Sequence, residues 1–228
     1  MNIVSREQWL KARKALLEGE KALTRARDQL SRKRRALPYV KIDTHYQFTS
    51  EQGDRSLLDL FAEKKQLIIY HFMYGLDYQQ GCKSCSFWAD QFDAAILHLE
   101  QRDIAFKVIS KATINTIQAF RKRMGWKFDW LSANECTFNE DFHVSLTADN
   151  TSNYYNYRKT SAKGEMPGIS VFLRADDNSI YHTHSCYARG LDIFNSVYHF
   201  LDIVPYGRNE DTLPYPMEWV KLHDMYPH

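Results

Sequence analysis

Two adjoining stretches decide how this chain is read: Leu67-Ile68-Ile69-Tyr70-His71-Phe72-Met73, and after it Gly81-Cys82-Lys83-Ser84-Cys85-Ser86-Phe87-Trp88. The first is a continuous apolar run and reads as a strand buried on both faces. The second opens a segment with helical spacing that runs to about Glu100. Two cysteines two residues apart, between a strand and a helix start, suit thiol–disulfide chemistry. Backbone N–H groups at a helix N-terminus favour a nearby anion, and so favour thiolate over thiol. Cys82 could then attack a disulfide, and Cys85, one turn on, could resolve the mixed disulfide. The same spacing is compatible with half of a zinc site or with two buried structural thiols.

The rest of the chain narrows these alternatives. Its 228 residues, 44% hydrophobic and 14% aromatic, are enough for one domain with additions, or two small domains, and for a sizeable core. Net charge is +2, but residues 1–41 carry 12 Lys/Arg against 4 Asp/Glu, and residues 42–228 carry 18 against 24. A basic arm is joined to a mildly acidic body. The opening MNIVSREQWL lacks the apolar run and small-residue cleavage site of a signal peptide. No apolar run is long enough to span a bilayer, which points to a soluble, cytoplasmic protein. Four cysteines in such a chain are not a disulfide framework, and in a reducing compartment a Cys-x-x-Cys is catalytic or metal-binding rather than a staple.

Outward from the cysteines, residues 5–36 read as one helix. Ser5 with Gln8 forms a capping box, and Leu37-Pro38 ends it. Trp9, Leu16, Leu23 and Leu30 recur every seven residues, as in a self-association seam. The cluster Arg32-Lys33-Arg34-Arg35 has no interleaved aromatics, so it reads as a solvated face rather than a nucleic-acid platform. Residues 39–50 suggest a strand, 52–55 a turn, and Ser56 the cap of a short helix over 57–62. Ile104 to Ile109 is a further strand, and Thr113 caps a helix to about Met124. Strand–helix–strand–helix order argues for parallel pairing. An aromatic, irregular stretch of about 125–160 reads as an insertion or lid. Ile169–Leu173 and Ile180–His184 form a hairpin around Asp176-Asp177-Asn178. A final helix runs from Gly190 to about Ile203, and the tail from Pro205 wraps the surface. The expected organisation is a helical arm (1–37), a domain (38–204) and a tail (205–228).

This order resembles thioredoxin: strand, Cys-x-x-Cys, helix, strand, helix, then Pro–strand–hairpin–helix. Met166-Pro167 looks like the cis-proline of that fold, which lies beside the active-site cysteines. More closely, the chain resembles a bacterial family of uncharacterised proteins described as predicted dithiol-disulfide oxidoreductases. The likeness covers nearly the full length. It rests on Ser5-Arg6 with Trp9-Leu10, Leu23-Thr24-Arg25, Gly81-Cys82 with Ser84 to Asp90, Arg123-Met124-Gly125-Trp126, Asp141 to Ser145, Tyr187 to Asp192, and Gly207-Arg208. It implies an α/β, thioredoxin-like (peroxiredoxin-like variant) fold. Lys83 stands where relatives often have proline. His71 falls near the place where thioredoxins keep a buried acidic group that takes a proton from the resolving cysteine, so His71 is a candidate base, or simply a core histidine.

Other residues carry weaker suggestions. Trp88 supports the site or packs in the core. Arg189 could bind an anion or pair with Asp192. His182, His184 and Cys186 alternate, so a straight strand would place them on one face, where they could ligate zinc or copper. Cys136 and Cys186 could pair, or either could resolve Cys82. The expected activity is a thiol–disulfide oxidoreductase with Cys82 as nucleophile and Cys85 resolving, needing no cofactor beyond the dithiol. Its partners would be a protein or small-molecule disulfide, or a peroxide, and an electron donor. The alternatives are a thiol peroxidase acting through a Cys82 sulfenic acid, and a non-catalytic binding scaffold whose N-terminal helix associates with a second copy or a partner.

Overall fold

The computed structural model describes residues 2–147 and 153–227. Contacts divide the chain into two units, residues 1–39 and 40–228. The first is a single 30-residue helix, α1 (Arg6–Arg35). Its start is the reciprocal box read from sequence: the Gln8 N–H donates to Ser5 Oγ at 3.2 Å, and the Ser5 N–H donates to Gln8 Oε1 at 3.1 Å. Its last turn holds Arg32, Lys33, Arg34 and Arg35, which suits the negative end of the helix dipole. No helix among the described residues is long and apolar enough to cross a membrane.

In the second unit, short strands β1 (Val40–Lys41), β2 (Gln47–Ser50) and β3 (Gly53–Ser56) precede β4 (Gln66–His71). Helices α2 (Lys83–Ala89) and α3 (Phe92–Glu100) lead to β5 (Ile104–Ser110), and α4 (Ile114–Arg123) leads to β6 (Trp130–Ser132). Then come α5 (Phe138–Asp141) and the two-residue strands β7 (Ser145–Leu146), β8 (Tyr154–Tyr155), β9 (Arg158–Lys159) and β10 (Gly164–Glu165). The hairpin β11 (Gly168–Arg174) and β12 (Ile180–Tyr187) and the short helix α6 (Ser196–Leu201) follow. Eight strands make one sheet in the order β1-β12-β11-β4-β5-β6-β2-β3. β4 pairs in parallel with β5, and β5 with β6, as the helical crossovers require. β11 runs antiparallel to both β4 and β12. The central order β12-β11-β4-β5, with the cysteines after β4 and a helix after the hairpin, is the thioredoxin-like arrangement.

Strand alternation divides the core between two faces. Tyr70, Phe72 and Val108 face a cluster with Trp88, Phe92, Phe120, Trp126 and Trp130. Leu67, Ile69 and Ile109 face a second cluster with Phe48, Leu60, Phe61, Phe138 and Phe172. Each such fully buried side chain favours the fold by roughly 1.5–3 kcal/mol.

Several sequence-derived elements differ from those observed. The strand expected over 39–50 is two strands at opposite ends of the sheet, because β1 pairs with β12 and β2 pairs with β3 and β6. The expected turn at 52–55 is mostly strand β3. The helix expected from 82 to 100 breaks at Asp90–Gln91. There Asp90 accepts hydrogen bonds from Trp126 Nε1 (2.8 Å) and bonds His223 Nδ1 (2.6 Å), while the Gln91 side chain reaches Phe87, Asn195 and Ser196. These tertiary partners outweigh continued helix. The aromatic stretch contributes β6 to the main sheet, while β7 pairs with β10 and β8 with β9 in two separate two-stranded sheets; residues 148–152 of that stretch lie outside the described residues. The expected final helix is 3-10 over Ala188–Phe194 and becomes α6 only after Asn195, whose side chain accepts from the Val197 and Tyr198 N–H groups. The tail packs on the body, with Val220 and Leu222 buried.

Candidate active site

The site begins where β4 ends. Past His71 the chain stays in register long enough for the Phe72 N–H to donate to the Ile109 carbonyl. Residues 74–80 then loop out, and the Cys82 N–H returns to the Met73 carbonyl at 3.2 Å. Cys82 is the N-cap of α2, with φ −57° and ψ 127°. Its carbonyl accepts from the Ser86 N–H and hydroxyl, each at 2.9 Å, which locks the first turn. Gly81 must be glycine for space: a Cβ there would sit 2.5 Å from the Phe120 ring.

The two thiols differ sharply. Cys82 is half-buried and Cys85 is 2% exposed. Hydrogen bonding by the Cys85 thiol lowers the Cys82 pKa to about 6, against the opposing effect of burial and with help from the Cys85 and Ser84 N–H groups and the Ser84 hydroxyl. Burial, followed by the neighbouring Cys82, pushes Cys85 well above the ordinary thiol range. Two donors work the other way on Cys85: the Tyr70 phenol, and the Met73 N–H at 3.4 Å from Sγ. The pair thus holds one thiolate and one thiol at neutral pH. Cys82 and Cys85 are both free thiols, with no disulfide between them.

Tyr70 is the residue that sequence reading missed. It is adjacent to His71, and one step along a strand reverses the face. Tyr70 points to the cysteine side, packed on Phe92 (ring centroids 4.9 Å). His71 points to the other side, so it is not the proton acceptor for Cys85. Its Nε2 bonds Ser170 Oγ at 2.9 Å, its Nδ1 faces Asn139 Oδ1 at 3.4 Å, and its ring stacks on Phe138 and Phe142. Burial drives its pKa down to about 4, so His71 is a neutral core histidine. From Asn139 the network continues to Glu165 and Ser145.

The suggested metal trio is dispersed by a β-bulge. The β11–β12 register shifts between Val171 and Phe172, so Phe172 pairs with His182 and Val171 with His184. His182 therefore lies with Phe172 and Phe142 and bonds Ser185 Oγ at 2.7 Å. His184 and Cys186 pair with Val171 and Ile169, which pack on the cysteine side. No group of three or more His, Cys, Asp or Glu among the described residues could hold a metal ion. Cys136 packs against the second cluster, across the sheet from Cys82, which separates it from both Cys186 and the dithiol.

Met166–Pro167 is trans, not cis. β10 pairs with β7, and the Met166 N–H donates to the Val144 carbonyl at 2.7 Å, so the chain enters β11 already extended. The Pro167 carbonyl accepts from the Tyr155 hydroxyl at 2.8 Å. Pro167, Trp88 and Arg189 all line a cleft of about 960 Å³ that opens beside Cys85, Tyr70 and Ser84. Trp88 is buried and donates its indole N–H to the Leu191 carbonyl at 2.9 Å. Arg189 is exposed and ion-paired with Asp192 at 3.3 Å.

Residues 1–226 match a family described as "Bacterial protein of unknown function (DUF899)". No curated protein matches the sequence. Among solved structures, the chain is similar to a cysteine-to-serine variant of Xylella fastidiosa PrxQ, with 14% identity over 68% of this chain and 89% of that one and a TM-score of 0.43. It is similar to a cysteine-to-serine variant of Xanthomonas campestris peroxiredoxin Q, with 13% identity, 68% and 90% coverage and a TM-score of 0.46. For the Mycobacterium tuberculosis peroxidoxin BcpB the values are 12%, 70%, 94% and 0.47.

Proposed function

We propose that this chain, which belongs to the bacterial DUF899 family of proteins of unknown function, is a thiol–disulfide oxidoreductase working through Cys82 and Cys85. One observation carries the reading: a helix-capping Cys82 held as thiolate by the thiol of a buried Cys85. The Cys82 thiolate attacks one sulfur of a disulfide, forms a mixed disulfide and expels the other sulfur as thiolate. Cys85 then loses its proton and attacks Cys82 Sγ. That step releases the second substrate thiolate and closes the Cys82–Cys85 disulfide. The substrate gains two electrons, the pair loses two, and a reducing dithiol partner restores it. No dissociable cofactor is needed. The reading belongs to a reducing compartment such as the cytoplasm. Tyr70 and the Met73 N–H steady the Cys85 thiolate as it forms.

The test is equilibration of the protein in graded thiol/disulfide buffers, trapping of free thiols and peptide mass spectrometry. Cooperative two-thiol oxidation at roughly −120 to −270 mV supports the reading. A pair that closes only on unfolding defeats it. A parallel arm with hydroperoxide separates the peroxidase variant. Turnover there, with none on disulfides, would mean that Cys82 opens an O–O bond through a sulfenic acid. Self-association through α1 belongs to the same reading and rests on the seven-residue spacing of Trp9, Leu16, Leu23 and Leu30. An unchanged elution volume after removal of residues 1–37 would count against it.

A further inference from the structure

The cleft beside Cys85 has a wall that the reaction above does not use, built from the segment that follows α6. This wall is held by internal bonds. One oxygen of Glu210 accepts from the Tyr198 hydroxyl (3.0 Å), the Met217 N–H (2.9 Å) and the Trp219 indole N–H (2.7 Å). Arg208 stacks on the Tyr198 ring, 3.8 Å from its centroid. It also binds both oxygens of Asp202 at 2.7 and 2.8 Å, and Asp192 at 3.1 Å. Lys83, between the cysteines, donates to the Glu218 carbonyl at 2.6 Å. The dithiol helix and the wall are thus fastened together.

The charges of this cleft are unequal. It is lined by Arg189 and Arg208 against Asp192, Asp202, Glu210 and Asp211. Arg208 is committed to two carboxylates, and Arg189 shares one of them. Asp211 is exposed and has no ion-pair partner among the described residues. No lining cation is left uncommitted among the described residues. The remaining surface is apolar or aromatic, including Met73, Trp88, Leu213, Tyr215 and Met217. Tyr206 is 89% exposed and Tyr215 49% exposed, and the Lys83 ammonium lies over the Tyr215 ring, 5.7 Å from its centroid.

Resting on the redox reading, we infer that this cleft selects disulfides whose group beside the reacting sulfur is apolar or aromatic and neutral or positively charged, and disfavours anionic ones such as glutathione disulfide. An anionic ligand meets surplus carboxylate, and the one ammonium at the cleft edge, Lys83, already donates to the Glu218 carbonyl and lies 5.7 Å over the Tyr215 ring. A cationic aromatic ligand finds Asp211 and the exposed ring of Tyr206. A single like-charge contact near the surface is enough to separate the two by roughly tenfold or more.

The test uses the reduced wild-type protein and three redox-inert thioethers: S-benzylcysteamine (cationic), S-benzyl-N-acetylcysteinamide (neutral) and S-benzylglutathione (anionic). Quenching of tryptophan fluorescence reports binding, because Trp88 lines the cleft and Trp219 packs behind it. The first two should bind at least tenfold more tightly than the third, and Asp211→Lys should shrink that ratio. Equal or tighter binding of S-benzylglutathione overturns the inference, as does failure of all three to bind. None of the thioethers reacts with the dithiol, so the ranking stands or falls apart from the redox reading. If the reading fails but the ranking holds, the cleft is a selective binding site without dithiol turnover.

Discussion

Replacing Cys85 with alanine removes the S–H that donates to the Cys82 thiolate while leaving the N–H groups of residues 84 and 85 in place. A hydrogen bond to a charged group is worth about 1.5–3 kcal/mol, and one pKa unit corresponds to about 1.4 kcal/mol. The Cys82 pKa should therefore climb from about 6 by about 1–2 units. At pH 7 the thiolate fraction falls from about 0.9 to roughly 0.1–0.5. Cys85→Ser retains a donor hydroxyl of similar reach and should stay near the wild-type value. The assay is the rate of iodoacetamide labelling of the Cys82 peptide from pH 4 to 10, read by mass spectrometry. Of the two paired thiols Cys82 labels first, because Cys85 is 2% exposed, and reading the Cys82 peptide alone keeps the other cysteines out of the rate. If Cys85→Ala titrates like the wild type, the acidity comes from the helix N–H groups alone and the paired-thiol argument is wrong. A wild-type value near that of a free thiol would remove the argument altogether.

Three further outcomes follow from the geometry. Tyr70→Phe takes a donor away from Cys85, so the resolving step should slow by roughly tenfold or more and mixed disulfide should accumulate in a single-turnover trap; unchanged resolution would mean that Met73 suffices. Gly81→Ala drives a Cβ into the Phe120 ring, so thermal or urea unfolding should show a loss of about 1–3 kcal/mol, and a neutral result would contradict the packing described. His71 has a folded pKa near 4 against an ordinary value near 6.5. The folded state therefore resists protonation, and stability present above about pH 6.5 is lost as pH falls toward 4, by up to about 3 kcal/mol. His71→Gln cannot titrate, so the difference between its stability curve and the wild type should carry that slope; parallel curves would rule out this role for His71.

Much of this was legible in the residues because local chemistry decided it. The Cys-x-x-Cys at a strand-to-helix junction, the caps at Ser5 and Thr113, and the hairpin around Asp177 are all short-range signals. What was not legible depends on partners far away in sequence. Nothing near Asp90 says that Trp126 and His223 will reach it and break the helix. Nothing in the alternation of His182, His184 and Cys186 reveals a bulge, because the extra residue shows only against its partner strand. The approach to Pro167 is set by pairing between Ser145–Leu146 and Gly164–Glu165, some twenty residues apart, which the residues around Met166 do not reveal. Tyr70 and His71 were confusable because the long 74–80 loop hid which of the two faces the cysteines.

That one-residue offset also sets the shape of the chemistry. β4 acts as a partition, with the thiols on one side and His71, linked through Ser170 and Ser185 to His182, on the other. The groups that set the acidity of Cys82 are a thiol, a hydroxyl and backbone amides, and no imidazole is among them. Cys85 titrates well above the neutral range. A rate that depends on Cys82 thiolate should therefore rise along one smooth ionisation curve with a flat plateau above it. The bell-shaped profile of an imidazole-assisted pair is not expected.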